Sequence, residues 1–291
     1  MRSSILERLA TEVLVGDGAM GTALMAAGAV SRNTSEANLT HPDLVSSAHR
    51  AYRRAGAQIL QTNTFAANPI MLKTAGLAEQ GPQIWSSAVQ LCREAAGDDL
   101  YVAADLGPTG ALLEPLGDLS VEEARSSFLR QCEAMLGPSV DMVLLESFEA
   151  IEEVELAVSA VRELHPRIPL AVTMAFSVGQ GRTSMGVDGG TAAQRLSELP
   201  VDILGANCGT PQALEIAFAQ MSEHTDRPLM AQPNAGLPMV TGGRTVWSGT
   251  PLEAGQLAAR LIACGARIVG GCCGTTPDHL LQMARAASAR A

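Results

Sequence analysis

Three of the six cysteines of this 291-residue chain stand where packing alone gives no reason for them. Cys272 and Cys273 are adjacent inside GGCCGTTPDHL (270–280), and Cys208 lies in GANCGTP (205–211). Each segment follows an apolar run and is bordered by glycine. Cys92, Cys132 and Cys264 sit instead in helix-like stretches, where a thiol behaves as a small buried hydrophobe. Three thiolates suit one zinc ion: zinc takes sulfur at about 2.3 Å in tetrahedral geometry, and three protein ligands leave a fourth position for a reacting group. Neighbours on a flat strand point to opposite faces. Cys272 and Cys273 therefore reach one ion only if the chain bends between or beside them, and Gly270, Gly271 and Gly274 permit that bend. The other readings of the pair are inert thiols or a strained vicinal disulfide for redox sensing.

A zinc ion with three thiolates carries one net negative charge. It is a poor Lewis acid for making hydroxide and a good place to activate another sulfur, because a coordinated thiol is deprotonated. A free thiol, with a pKa of about 8.5, is only a few per cent thiolate at neutral pH. The expected chemistry is attack by a substrate thiolate on an electrophilic carbon. Handles for an amino-acid thiol are at hand. Asp17 and Glu146 are candidates for an ammonium group, and the backbone N–H groups around Gly18 and Ala19 for a carboxylate. Asn234, in QPNAGLP, is a further polar candidate. Singly, Asp17 and Asn234 also read as turn residues and Glu146 as a helix-start acid. None of the five histidines is needed as a base, and His279 reads as part of a helix start.

These residues need a frame that brings distant segments together. The chain repeats one unit: a short apolar run, a Gly- or Asn-rich end, then an amphipathic helix. The runs begin at 13 (VLVGDGAMG), 57 (AQILQTNTF), 100 (LYVAADLGP), 140 (VDMVLLESF), 170 (LAVTMAF), 201 (VDILGANCG), 227 (RPLMAQPNAG) and 266 (ARIVGGCCG). Continuous rather than alternating apolar character predicts strands covered on both faces, as in a parallel sheet. The stretches from 119, 147 and 249 predict helices, with Ser120 and Thr250 as N-caps and Pro251 in a first turn. Eight such units predict a single-domain (β/α)8 TIM barrel over residues 1–291. Chemistry in that fold gathers at the C-terminal strand ends. Those ends are Asp17-Gly18-Ala19, Thr62-Asn63-Thr64, Asp105, Glu146, Asn207-Cys208, Asn234 and Cys272-Cys273, so the three thiols converge there.

Bulk properties exclude several classes. A net charge of −10 argues against nucleic acid as a partner. No run of about 18 apolar residues predicts a membrane span, and the N-terminus lacks a signal-peptide core. A cytoplasmic location is expected, where disulfides are rare.

The motifs GDGAMGT (16–22), TNTF (62–65), GPTG (107–110), GANCG (205–209), PNAGLP (233–238) and GGCCGTTPDH (270–279) resemble the homocysteine-binding domain of the homocysteine S-methyltransferases. The likeness runs from about residue 12 to 285. With GGRTVW (242–247), it is greatest to the homocysteine module of the cobalamin-dependent methionine synthases. That resemblance implies a (β/α)8 barrel, one Zn2+ held by Cys208, Cys272 and Cys273, and homocysteine sulfur in the fourth position. It also implies that Asp17, Gly18, Ala19 and Glu146 grip the amino-acid end, and that Asn234 approaches zinc when substrate is absent. The methyl group is expected from outside the chain, from free methylcobalamin or a separate corrinoid protein, since the sequence ends with the barrel and lacks a D-x-H-x-x-G corrinoid signature. Such a chain reads either as a stand-alone enzyme or as a fragment. S-methylmethionine or S-adenosylmethionine is the alternative donor. A zinc- or redox-sensing protein is the non-enzymatic alternative.

Overall fold

Each apolar run becomes one parallel strand, because a run of that length is apolar on both faces and must be covered on both. In the computed structural model, which describes residues 3–29, 32–177, 179, 181–242 and 244–289, the strands are β1 (Leu14–Val15), β2 (Ile59–Gln61), β3 (Tyr101–Leu106), β4 (Met142–Phe148), β5 (Leu170–Ala175), β6 (Ile203–Asn207) and β7 (Leu229–Gln232). They are followed by β8 (Pro238–Thr241), β9 (Arg244–Trp247) and β10 (Ala266–Val269). β8 and β9 form a separate antiparallel hairpin. The other eight form one sheet in the order β1-β10-β7-β6-β5-β4-β3-β2.

The seam between β1 and β2 closes it. The Gln58 N–H donates to Val15 O at 2.7 Å. The Gln58 side-chain oxygen accepts the Val15 N–H at 3.0 Å, and Asp17 Oδ2 accepts the Gln61 N–H at 2.9 Å. The result is the expected (β/α)8 barrel, whose seam depends on side chains where a backbone ladder is absent.

Helices begin where the sequence places caps. Ser120 and Glu123 form a capping box before Val121–Met135, as do Thr250 and Glu253 before Pro251–Ala263. Thr210 caps Pro211–Ser222, and Thr276 precedes Pro277–Ser288. One boundary differs from expectation. The segment from 147 does not start a helix: β4 continues to Phe148 with a register shift after Leu145, and the helix begins at Ile151. The left-handed backbone of Ser147 (φ 62°) makes that irregularity.

Inside the barrel, Ile59, Ala103, Leu144, Ala171, Met230 and Ile268 belong to one buried cluster. The N-terminal helix Ile5–Leu9 adds Ile5 and Leu9 to this cluster, and Tyr101 Oη donates to Ser3 O at 2.7 Å. Among the described residues, no helix is long and apolar enough to cross a membrane.

One outer helix carries an ionisable group with no partner. His49, on Pro42–Arg54, is fully buried, and neither ring nitrogen is hydrogen-bonded. Burial, with a smaller effect of Arg50, pushes its pKa down to about 4 from 6.5. The unfolded chain then takes up a proton before the folded one as pH falls. The stability tied to this group is complete above pH 6.5 and is lost on acidification towards pH 4. The loss amounts to roughly 3 kcal/mol. A His49→Leu variant should therefore show a smaller fall in melting temperature between about pH 7 and pH 4.5 than the parent. An identical fall would assign the acid sensitivity to other groups.

Candidate active site

The three cysteines meet at the C-terminal mouth of the barrel because the end of β7 holds both segments. β7 lies between β6 and β10, and its last carbonyls point to either side. Gln232 O accepts the Cys208 N–H at 3.1 Å, and Pro233 O accepts the Cys272 N–H at 2.9 Å. Cys208 has a left-handed backbone (φ 59°), a conformation that non-glycine residues resist and that recurs at functional sites. It turns the thiol out of the strand direction.

Past β10 the chain makes a β-turn in which Cys272 O accepts the Thr275 N–H at 3.1 Å, with Gly274 at φ 79°. A side chain at Gly274 would also collide with Trp247, whose Cγ is 2.1 Å from the place a Cβ would take. This turn is the bend that two adjacent cysteines require. The sulfurs of Cys208, Cys272 and Cys273 all lie within 4.8 Å of one another.

Three thiols this close share their protons unequally. The Cys272 and Cys273 thiols stabilise negative charge on Cys208, holding its pKa down to about 3, and the Asn234 side chain contributes. The same interaction with Cys208 pushes Cys273 up to about 12 and Cys272 well above the thiol range. The cluster is a soft donor set that favours a negative charge among its sulfurs, and a metal would displace the remaining thiol protons. Three sulfur donors this close are a set that fits Zn2+, which takes four ligands in tetrahedral geometry. Asn234 is partly buried beside the cluster, and its Oδ1 accepts no hydrogen bond.

The residues expected to hold an amino-acid end lie on the β1 and β4 side. Asp17 is 2% exposed; its Oδ2 holds the seam and its Oδ1 has no partner. Burial raises its pKa well above the usual range against the Gln61 N–H, and the Glu146 charge adds to the rise. Glu146, on β4, is pushed up to about 8 by burial and then by the Cys208 charge. Gly18 permits a close approach: a Cβ there would be 2.6 Å from Tyr52 Cε1. Tyr52 Oη lies 2.9 Å from Thr275 O and 3.1 Å from Ala19 O and shares its proton between them. The Ala19 N–H donates to Thr275 O at 3.3 Å. That long bond ties the end of β1 to the turn after the cysteines.

His279 stays in the helix start. Its Nδ1 accepts the Thr276 N–H at 3.3 Å, so Nε2 carries the proton and donates to Gly249 O at 3.0 Å.

Four further side chains belong to the same mouth: Asp105 and Asn207, expected at strand ends but given no role, and Thr173 and Gln232, which no motif singled out. Asp105, Thr173, Asn207 and Gln232 are buried and carry side-chain atoms without hydrogen bonds. Asn207 Nδ2 donates to Ser147 Oγ at 2.5 Å and lies 4.0 Å from Cys272 Sγ. The signal for them was the strand period of two. On β3, Tyr101 and Ala103 face the interior cluster, so Asp105 must follow them inward.

Comparison with known proteins agrees with this geometry. The family model described as homocysteine S-methyltransferase matches residues 14–287. The chain is 32% identical to a methionine synthase of Mycobacterium leprae over 98% of its own length, and spans about a quarter (25%) of that longer relative. It is also 32% identical to a betaine–homocysteine S-methyltransferase of Danio rerio, covering 99% of this chain and 76% of that one. Among solved structures, the metallated form of the homocysteine methyltransferase MmuM from Escherichia coli superposes with a TM-score of 0.78 at 26% identity, covering 94% of this chain and 96% of that one. A cysteine triad at the barrel mouth, beside buried carboxylates and inside a match spanning nearly all of the sequence, places the chain in the homocysteine S-methyltransferase family.

Proposed function

We propose that this barrel is a zinc-dependent homocysteine S-methyltransferase that forms methionine. The observation that carries the reading is the convergence of the Cys208, Cys272 and Cys273 sulfurs within 4.8 Å of one another, close to a buried carboxylate, Glu146, that responds to the Cys208 charge. The three cysteines would hold the metal. Zinc bound by them would favour the thiolate form of a substrate thiol at neutral pH.

The residues of the chain do the rest. Asp17 and Glu146 bind the ammonium group of homocysteine, and the backbone around Gly18 and Ala19 faces its carboxylate. Held at both ends, the substrate sulfur forms a bond to the incoming methyl carbon. The bond from that carbon to its carrier breaks, and the electron pair leaves with the carrier. Asn234 stands beside Cys208 to cover the sulfur site when substrate is absent. The cytoplasm suits this chemistry, since its reducing conditions keep such thiols free.

The donor half of the reaction rests on the relatives. The match to a mycobacterial methionine synthase over 98% of this chain, with the motif likeness to the cobalamin-dependent methionine synthases, favours a methyl-corrinoid donor, methylcobalamin or a separate corrinoid protein. The match to the betaine–homocysteine enzyme, of which this chain spans 76%, supports a second reading with a small onium donor. S-methylmethionine and S-adenosylmethionine belong to that class.

Metal analysis and turnover test these assignments. The reduced chain should contain one zinc, and Cys208→Ala or Cys273→Ala should lose it, with turnover falling at least about a hundredfold. A variant that keeps full zinc stoichiometry and rate would falsify the ligand assignment. Glu146→Ala should raise the homocysteine KM roughly tenfold or more while zinc content is retained. Unchanged kinetics would mean that the ammonium is held elsewhere. Methionine formation should be strongest with methylcobalamin when that donor, S-methylmethionine, S-adenosylmethionine and betaine are offered separately. Turnover with an onium alone would move the protein to the second reading. Zinc without turnover from any donor would favour a sensor.

A further inference from the structure

Six strands carry a polar side chain near the top of the barrel interior: Gln61 on β2, Asp105 on β3, Glu146 on β4, Thr173 on β5, below the inward Ala175, Asn207 on β6 and Gln232 on β7. A barrel interior of this kind is ordinarily filled by branched apolar side chains, as it is here one layer lower. Within the polar layer Asp105 has no structural partner. It is 4% exposed, and its Oδ1 accepts no hydrogen bond. Its backbone is fixed: the Asp105 N–H donates to Thr62 Oγ1 at 3.0 Å, and its carbonyl accepts from Thr64 Oγ1 at 2.6 Å. Asp105 pairs in register with Leu144, so Glu146 is the next inward residue on the neighbouring strand.

Among the described residues, no arginine, lysine or histidine forms an ion pair with Asp17, Asp105 or Glu146. A buried carboxylate without a counter-charge is costly, and Asp105 also feels the charges of Glu146 and Asp17. Gln232 is fully buried with neither amide atom bonded, and Asp17 Oδ1 is likewise unpartnered. The acceptors among these atoms, Asp17 Oδ1, Asp105 Oδ1 and Gln232 Oε1, suit a small cation that donates hydrogen bonds. The α-ammonium of an amino-acid thiol is such a group.

We propose that Asp105 is a third carboxylate of the amino-acid subsite, meeting the substrate ammonium together with Asp17 and Glu146, and that it makes the pocket select α-amino thiols over thiols lacking the amine. This assignment rests on the reading of the mouth as an amino-acid thiol site. Asp17 is occupied on one side by the β1–β2 seam, and Glu146 is closest in charge to the cysteines. Asp105 therefore supplies the carboxylate that neither the seam nor the sulfur cluster claims.

The test compares homocysteine with 4-mercaptobutanoate, which has the same thiol chain and carboxylate and no amine. Binding of each to the zinc-loaded full chain is measured by calorimetry for the parent and for Asp105→Asn. Zinc content and the thiolate charge-transfer absorption of the cobalt-substituted form are also recorded. The expected result is homocysteine binding about tenfold weaker in Asp105→Asn, with 4-mercaptobutanoate binding, zinc content and the cobalt spectrum unchanged. A variant that discriminates between the two thiols as well as the parent does, or that loses both equally, overturns the role of Asp105. A parent that binds both thiols equally overturns the amino-acid reading of the whole mouth. If Asp105→Asn does not fold, Asp105→Ser is read in the same way, with the same outcomes.

Discussion

Everything at the mouth of this barrel depends on two neighbouring carbonyls, those of Gln232 and Pro233. They receive the N–H groups of Cys208 and Cys272 from opposite sides, so the end of β7 sets the separation of segments more than sixty residues apart in sequence. A sulfur cluster tolerates little error in position, since ligand distances vary by only about 0.2 Å. Main-chain hydrogen bonds give that accuracy because they do not depend on rotamers. The left-handed turn at Cys208 and the β-turn at Cys272–Thr275 then aim the thiols inward from an already fixed backbone.

The same mouth stores unfavourable electrostatics. Asp17, Asp105 and Glu146 are all buried, the Glu146 charge raises the pKa values of Asp17 and Asp105, and several side-chain polar atoms around them have no partner. Such an arrangement weakens the free protein. The apolar layers below and the helices outside make it tolerable, with leucine, isoleucine and valine buried throughout both clusters. The cost is recovered when a ligand brings the missing charge, which is how a preorganised site converts folding stability into selectivity. Asp17 shows the compromise most clearly. One carboxylate oxygen closes the barrel seam and the other faces the cavity.

Much of this was legible in the chain. The eight apolar runs located the parallel strands because burial on both faces is written in local composition. Ser120 and Thr250 located helix starts because a cap acts on N–H groups two or three residues away. The cysteine triad was legible as well, since a thiol next to glycine at a strand end is out of place in a core. Less visible was the hairpin Pro238–Trp247, whose flanks are too short and too polar to stand out among longer runs. Its Trp247 packs on Gly274, a contact between segments that no local pattern announces.

The sequence by itself determined which elements form and which residue types end at the mouth. Strand length, capping and apolar runs all act over a few residues. Tertiary structure decided which side chains share a space. The seam at Gln58 and Asp17, the inward register of Asp105 and Gln232, and the coupling of Asn207 to Ser147 and Cys272 each depend on how strands are offset around a closed sheet. That offset is set by pairing between distant segments. A shift of one residue turns every side chain of a strand to the other face.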